Sequence, residues 1–63
     1  MNTTQTSFVI ATVTRDGRTR YLDRFGAWTT DVEMAAKFEE EWGAEDFAGA
    51  EGVSLRTAVV HAL

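Results

Sequence analysis

The chain has 63 residues, with 6 Lys and Arg against 10 Asp and Glu, one His, no Cys and a formal net charge of −4. That length admits one domain, and the lack of Cys removes disulfides and thiolate metal sites, so a zinc site on His61 would need carboxylates or a second chain. No stretch approaches the roughly 18 apolar residues of a membrane span, and Met1 to Ser7 has neither the basic start nor the apolar run of a signal peptide, so the reading is no membrane and a cytoplasmic location.

A domain this short buries only about 60% of the surface its unfolded chain exposes. It needs good packing or a partner to hold it. The large apolar groups for that task are Phe8, Tyr21, Phe25, Trp28, Phe38, Trp42 and Phe47. Charge is unevenly spread. Residues 1–24 carry Arg15, Arg18, Arg20 and Arg24 against Asp16 and Asp23, a balance of +2. Residues 25–63 carry Lys37 and Arg56 against Asp31, Glu33, Glu39, Glu40, Glu41, Glu45, Asp46 and Glu51, a balance of −6. Net acidity argues against direct nucleic-acid binding, whose main sequence-independent term is attraction to phosphate.

In chain order, residues 1–6 are polar and read as frayed. Ser7 to Thr14 is rich in β-branched residues and reads as a strand. Phe8, Ile10, Thr12 and Thr14 share one side of it, and Val9, Ala11 and Val13 the other. Asp16-Gly17 between two strand-like runs signals a hairpin with a type I′ turn. The second strand runs from about Arg18 to Leu22, and Asp23 to Ala27 reads as a connection.

Thr30 and Glu33 have capping-box spacing. They predict a helix whose apolar stripe is Met34, Phe38 and Trp42, with Val32 and Ala35 beside it. Glu33 and Lys37 form an i,i+4 pair on it, and Gly43 ends it. Ala44 to Ala50 reads as a short second helical turn broken by Gly49 and Gly52. Val53 to Leu63 reads as a final strand beside the first, densest at Thr57 to His61. The expected fold is α+β: a three-stranded antiparallel sheet in ββαβ order, one main helix on one face and a short second helical turn. Residues 1–63 form one such mini-domain.

A hairpin ending in Tyr21-Leu22, a loop with Gly26, then Trp28-Thr29 and a segment with Ala35-Ala36 and Phe38 resembles short phage- and prophage-encoded ββαβ proteins. The resemblance covers about residues 8–42 and the final strand. It implies the fold and a phage-like setting. Some small acidic phage proteins inhibit host defence, anti-CRISPR proteins among them. The acidic segment Ala44 to Gly52 departs from that pattern.

Ser7, Ser54, His61 and the carboxylates show no spacing that pairs a nucleophile with a base. The chain is therefore read as a non-enzyme without metal or cofactor. Glu39, Glu40, Glu41, Glu45, Asp46 and Glu51 form an acidic surface suited to a basic protein groove. Trp42 is the candidate anchor, since interface hot spots favour Trp. The expected partner is a host protein, in particular a nucleic-acid-handling defence complex. Two alternatives remain: Arg15, Arg18, Arg20 and Arg24 on phosphates, with Tyr21 or Trp28 as a stacking platform, or a homodimer through an edge strand or a helix face.

Overall fold

The computed structural model describes residues 7–63. Its elements are β1 (Phe8–Val13), β2 (Thr19–Leu22), β3 (Trp28–Thr29), a 3-10 turn (Val32–Met34), α1 (Glu41–Ala50) and β4 (Ala58–Ala62). They form a four-stranded antiparallel sheet of order β3-β2-β1-β4 with one helix. The α+β class and the last strand beside the first agree with the sequence reading. The strand count and the helix position do not. The expected fraying of residues 1–6 lies outside the described residues.

The fourth strand comes from a second hairpin. Thr14 and Arg18 close the first loop, with Thr14 N–H on the Arg18 carbonyl at 2.7 Å and Gly17 N–H on the Thr14 carbonyl at 2.9 Å. Asp23 and Ala27 close the second in the same way, with Asp23 N–H on Ala27 at 2.8 Å and Gly26 N–H on Asp23 at 3.1 Å. In both loops only the glycine has positive φ, +86° at Gly17 and +84° at Gly26. These are three-residue loops, a type I turn followed by a left-handed glycine. The expected type I′ turn is corrected, because Asp16 does not have the positive φ it requires. The Asp23 carboxylate also accepts from the N–H groups of Phe25 and Ala27, both at 2.9 Å. That fixes the turn that brings Trp28-Thr29 back against Tyr21-Leu22.

The expected helix over residues 30–42 is replaced by a short turn and an extended segment. Asp31, not Thr30, caps the turn, accepting from Glu33 N–H at 3.0 Å. The chain then leaves helical geometry at Ala35 (ψ 143°). Its backbone is taken up by the sheet instead. Ala36 donates to Leu22 at 3.0 Å, and Phe8 and Phe38 exchange bonds of 2.8 and 2.9 Å. Residues 35–38 thus fill the space where β1 and β2 part. The expected Glu33–Lys37 pair is not formed; the ion pair among the described residues is Arg18 with Asp16. The Lys37 Nζ donates to the carbonyls of Val32, Glu33 and Ala35 at 3.0–3.2 Å.

The helix forms over Glu41–Ala50, where only a short turn was expected. The macrodipole explains the shift. A helix ending at Trp42 would hold Glu39, Glu40 and Glu41 at its negative end, whereas α1 places Glu40 and Glu41 at its positive end. Gly43 and Gly49 lie inside α1, so neither stops it. The stop is Gly52 (φ +75°). Val53 N–H bonds Ala48 at 2.8 Å and Gly52 N–H bonds Gly49 at 3.1 Å, the pairing of a Schellman end. β4 begins only at Ala58, because Ser54 to Thr57 form a turn in which the Ser54 carbonyl accepts from Thr57 and Ala58 N–H.

The core lies between α1 and one face of the sheet. Ile10, Leu22, Ala44, Ala48 and Ala58 are fully buried or nearly so, with Phe8, Phe38, Phe47, Val53 and Val60 packed around them. Phe38 and Phe47 stack tilted, 5.4 Å between centroids. Alanines at 44 and 48 let the helix approach the sheet closely. The expected stripe of Met34, Phe38 and Trp42 is not a face: Phe38 is half-buried, while Met34 and Trp42 are exposed.

Candidate interaction surface

Ala44, Phe47 and Ala48 point α1 at the sheet, so helical geometry turns Trp42 and Asp46 outward, with Glu45 on the flank. Trp42 is 68% exposed, unusual for so large a ring in so small a domain. Glu45 and Asp46 follow it at i+3 and i+4, the spacing of helix-surface neighbours. Glu39, Glu40 and Glu41 are exposed at the start of the same helix. Among the described residues none of these carboxylates forms an ion pair; the pair present is Arg18 with Asp16 at 3.5 Å.

Glu51 does not join this group. It is the C-cap of α1, ten residues on from Glu41 and so about 15 Å along the axis. Its carboxylate lies against Gly26 in the second hairpin loop. The expected six-carboxylate patch is therefore corrected to five around Trp42, with Glu51 apart.

The arginines are also divided. Arg15 and Arg18 sit in the first hairpin loop and Arg20 on β2. Arg18 closes that loop opposite Thr14, two residues before Arg20 on β2. Arg24 is at the other end of β2, with its guanidinium 5.1 Å from the centre of the Phe25 ring. Beside it is a shallow recess of about 290 Å³ lined by Asp23, Arg24, Phe25, Glu33, Met34 and Ala35. Its charged groups are Asp23, Glu33 and Arg24. Trp28, expected in the core, is 38% exposed on an edge strand. Tyr21 is half-buried on the sheet face away from α1.

In the first loop the Thr14 hydroxyl donates to the Asp16 carboxylate. That bond, foremost among the causes, holds the Asp16 carboxyl below its ordinary value of 3.8. His61 is exposed on β4. No helix among the described residues is long and apolar enough to cross a membrane.

Sequence reasoning missed the sheet face opposite α1. The register places Val9, Ala11, Val13, Thr19, Tyr21, Thr29, Val59 and His61 there. None of the chain's 6 basic and 10 acidic residues is among them. Val13 and Val59 are 66% and 60% exposed, and a shallow groove of about 270 Å³ runs between them and Tyr21. The alternation Val9-Ala11-Val13 was legible. Val9 and Ala11 on that face are buried, whereas Val13, Val59 and His61 are exposed, so the face is open only toward its Val13 and Val59 end, and the missing signal was where its cover stops.

No protein-family model, curated protein or solved structure matches the chain.

Proposed function

We propose that this chain is a non-catalytic binding module that inserts Trp42 and the carboxylates around it into a basic groove on another protein. The observation that carries the reading is the exposed Trp42 ring beside Glu45 and Asp46 on the outward face of α1. A flat aromatic supplies area at little conformational cost, and a charged rim steers and orients the encounter. A groove lined by Lys and Arg to hold nucleic acid has the complementary charge. Blocking such a host complex is a role that some small acidic phage proteins have, and it fits the phage-like setting of the resemblance.

Helix stability accounts for part of the acidity, since Glu40 and Glu41 are favourable at a helix N-terminus by about 0.3–1 kcal/mol each. It does not account for Glu45 and Asp46, or for an exposed Trp. These three residues are the ones on which the reading rests.

The test is a photo-crosslinking amino acid in place of Trp42 in the full chain, expressed in its native host. The expected result is one protein adduct at Lys- or Arg-rich peptides, lost on reversing Glu45 and Asp46 to Lys. No adduct at 42, while the same probe at Val13 captures a protein, would put the binding surface elsewhere.

A further inference from the structure

β4 is an edge of the sheet, with β1 on one side and no strand among the described residues on the other. Natural edges are usually protected by Lys, Pro, a bulge or an inward charge. The sequence Ala58-Val59-Val60-His61-Ala62 has none of these, and its pairing to β1 is regular over all five residues. The direction of its free backbone groups follows from the ladder. Leu63 N–H donates to the Ser7 carbonyl at 2.8 Å. In an antiparallel pair the bonded positions alternate, so His61 and Val59 also face β1. Val60 and Ala62 therefore direct N–H and C=O outward, as does the Ala58 carbonyl; Ala58 N–H is held by Ser54 at 3.1 Å.

We propose that β4 pairs antiparallel with β4 of a second copy of this chain, across a two-fold axis at Val60, to give a continuous eight-stranded sheet. The outward groups are self-complementary about that axis. Val60 bonds Val60 of the second copy in both directions, and each Ala62 N–H meets the Ala58 carbonyl of the other. Val60 is the middle residue of β4, so the whole strand is used.

Charge selects a second copy as the occupant. The chain carries −4 overall, and two copies meet with least repulsion through a surface free of that charge. Apart from His61, counted as neutral in that balance, β4 and the residues that share its outer face include no Asp, Glu, Lys or Arg. The same neutrality gives a phosphate backbone nothing to bind. The new neighbours on that face are Val59 of one copy and His61 of the other, and pairing joins the two uncharged faces. A five-residue edge is about 17 Å long and covers less than the ~800 Å² per partner of a standard interface. The dimer is accordingly weak, with Kd on the order of 10–100 μM. This interface lies away from Trp42, so it stands or falls separately from the acidic-surface reading.

The experiment is sedimentation equilibrium of the full chain from about 5 to 500 μM, with far-UV circular dichroism on each variant. The native chain is expected to pass from monomer to dimer across that range. The double variant V59K/H61K sets like charges opposite each other at both cross-strand pairs, which is destabilising, and is expected to raise Kd at least tenfold. V59K/H61E sets opposite charges there and is expected to restore dimerisation. Both positions are exposed, so the fold tolerates the changes. A native chain that stays monomeric at every concentration overturns the proposal. So does a dimer whose Kd is the same in all three proteins, or one weakened equally by both double variants.

Discussion

The Glu51 carboxylate, at the C-cap of α1, lies directly against the α-carbon of Gly26 in the second hairpin loop, so a Cβ at Gly26 would overlap it. Gly26 and Gly17 both have positive φ, +84° and +86°. Gly17 has open space around it, whereas at Gly26 the atoms in the way are the end of an exposed, flexible side chain. We therefore expect Gly17→Ala and Gly26→Ala each to cost about 1–2 kcal/mol from the left-handed backbone, with Glu51 swinging aside. Adding Glu51→Ala to Gly26→Ala should leave that cost unchanged. Urea denaturation of the four proteins measures this, and a larger cost at Gly26 that the double variant relieves would show that Glu51 is held in place against the loop.

Gly43 and Gly49 sit inside α1 without positive φ. A Cβ at Gly49 meets nothing within 4 Å, and one at Gly43 meets only Phe38 Cδ1 at 3.8 Å. Alanine at either position should therefore stabilise the protein by about 0.5–1 kcal/mol. If residues 30–42 formed the helix instead, with Gly43 its left-handed stop, Gly43→Ala would destabilise. The sign of the change in urea midpoint decides between the two.

Lys37 holds the turn between β3 and α1 through three backbone carbonyls. Lys37→Met keeps the stem and removes the donors. Because the side chain is exposed, the expected loss is modest, about 0.5–1 kcal/mol. It should be local: amide exchange at Met34 and Ala35 quickens, while exchange at Val59 and His61 is unchanged. Uniform acceleration across the sheet would mean that Lys37 supports the whole fold.

Asp16 has its folded pKa depressed, first by the Thr14 hydroxyl. A depressed carboxyl contributes stability above its unfolded pKa and loses it as pH falls through the folded one. An NMR titration should place Asp16 below 3.8, and Thr14→Val should move it up toward that value. An unchanged titration in the variant would assign the shift to other neighbours.

The core tolerates little growth at Ala44 and Ala48, both fully buried against the sheet. Ala48→Leu should cost about 1–3 kcal/mol by prising α1 away. Leu22→Ala should cost about 2–5 kcal/mol, enough to unfold so small a domain at room temperature. Thermal melts of both variants check this.

What the sequence by itself determined was local. β-branched runs set β1 and β4, Asp16-Gly17 set the first hairpin, and the α+β class followed from the pattern of strands and helix signals. The second hairpin was legible too. Asp23 and Gly26 repeat the spacing of Thr14 and Gly17, between the β-favouring pairs Tyr21-Leu22 and Trp28-Thr29. What only the tertiary structure decided was the fate of residues 31–40. Their capping spacing and apolar period suit a helix. The open gap between Phe8 and Leu22 offers the same backbone hydrogen bonds without setting Glu39 to Glu41 against the dipole. That competition sets which side of α1 faces inward, and so leaves Trp42 exposed, as Val13 and Val59 are on the sheet face beside β4. Periodicity reports which residues share a face. It cannot report whether anything packs against that face, because the answer lies in residues distant along the chain.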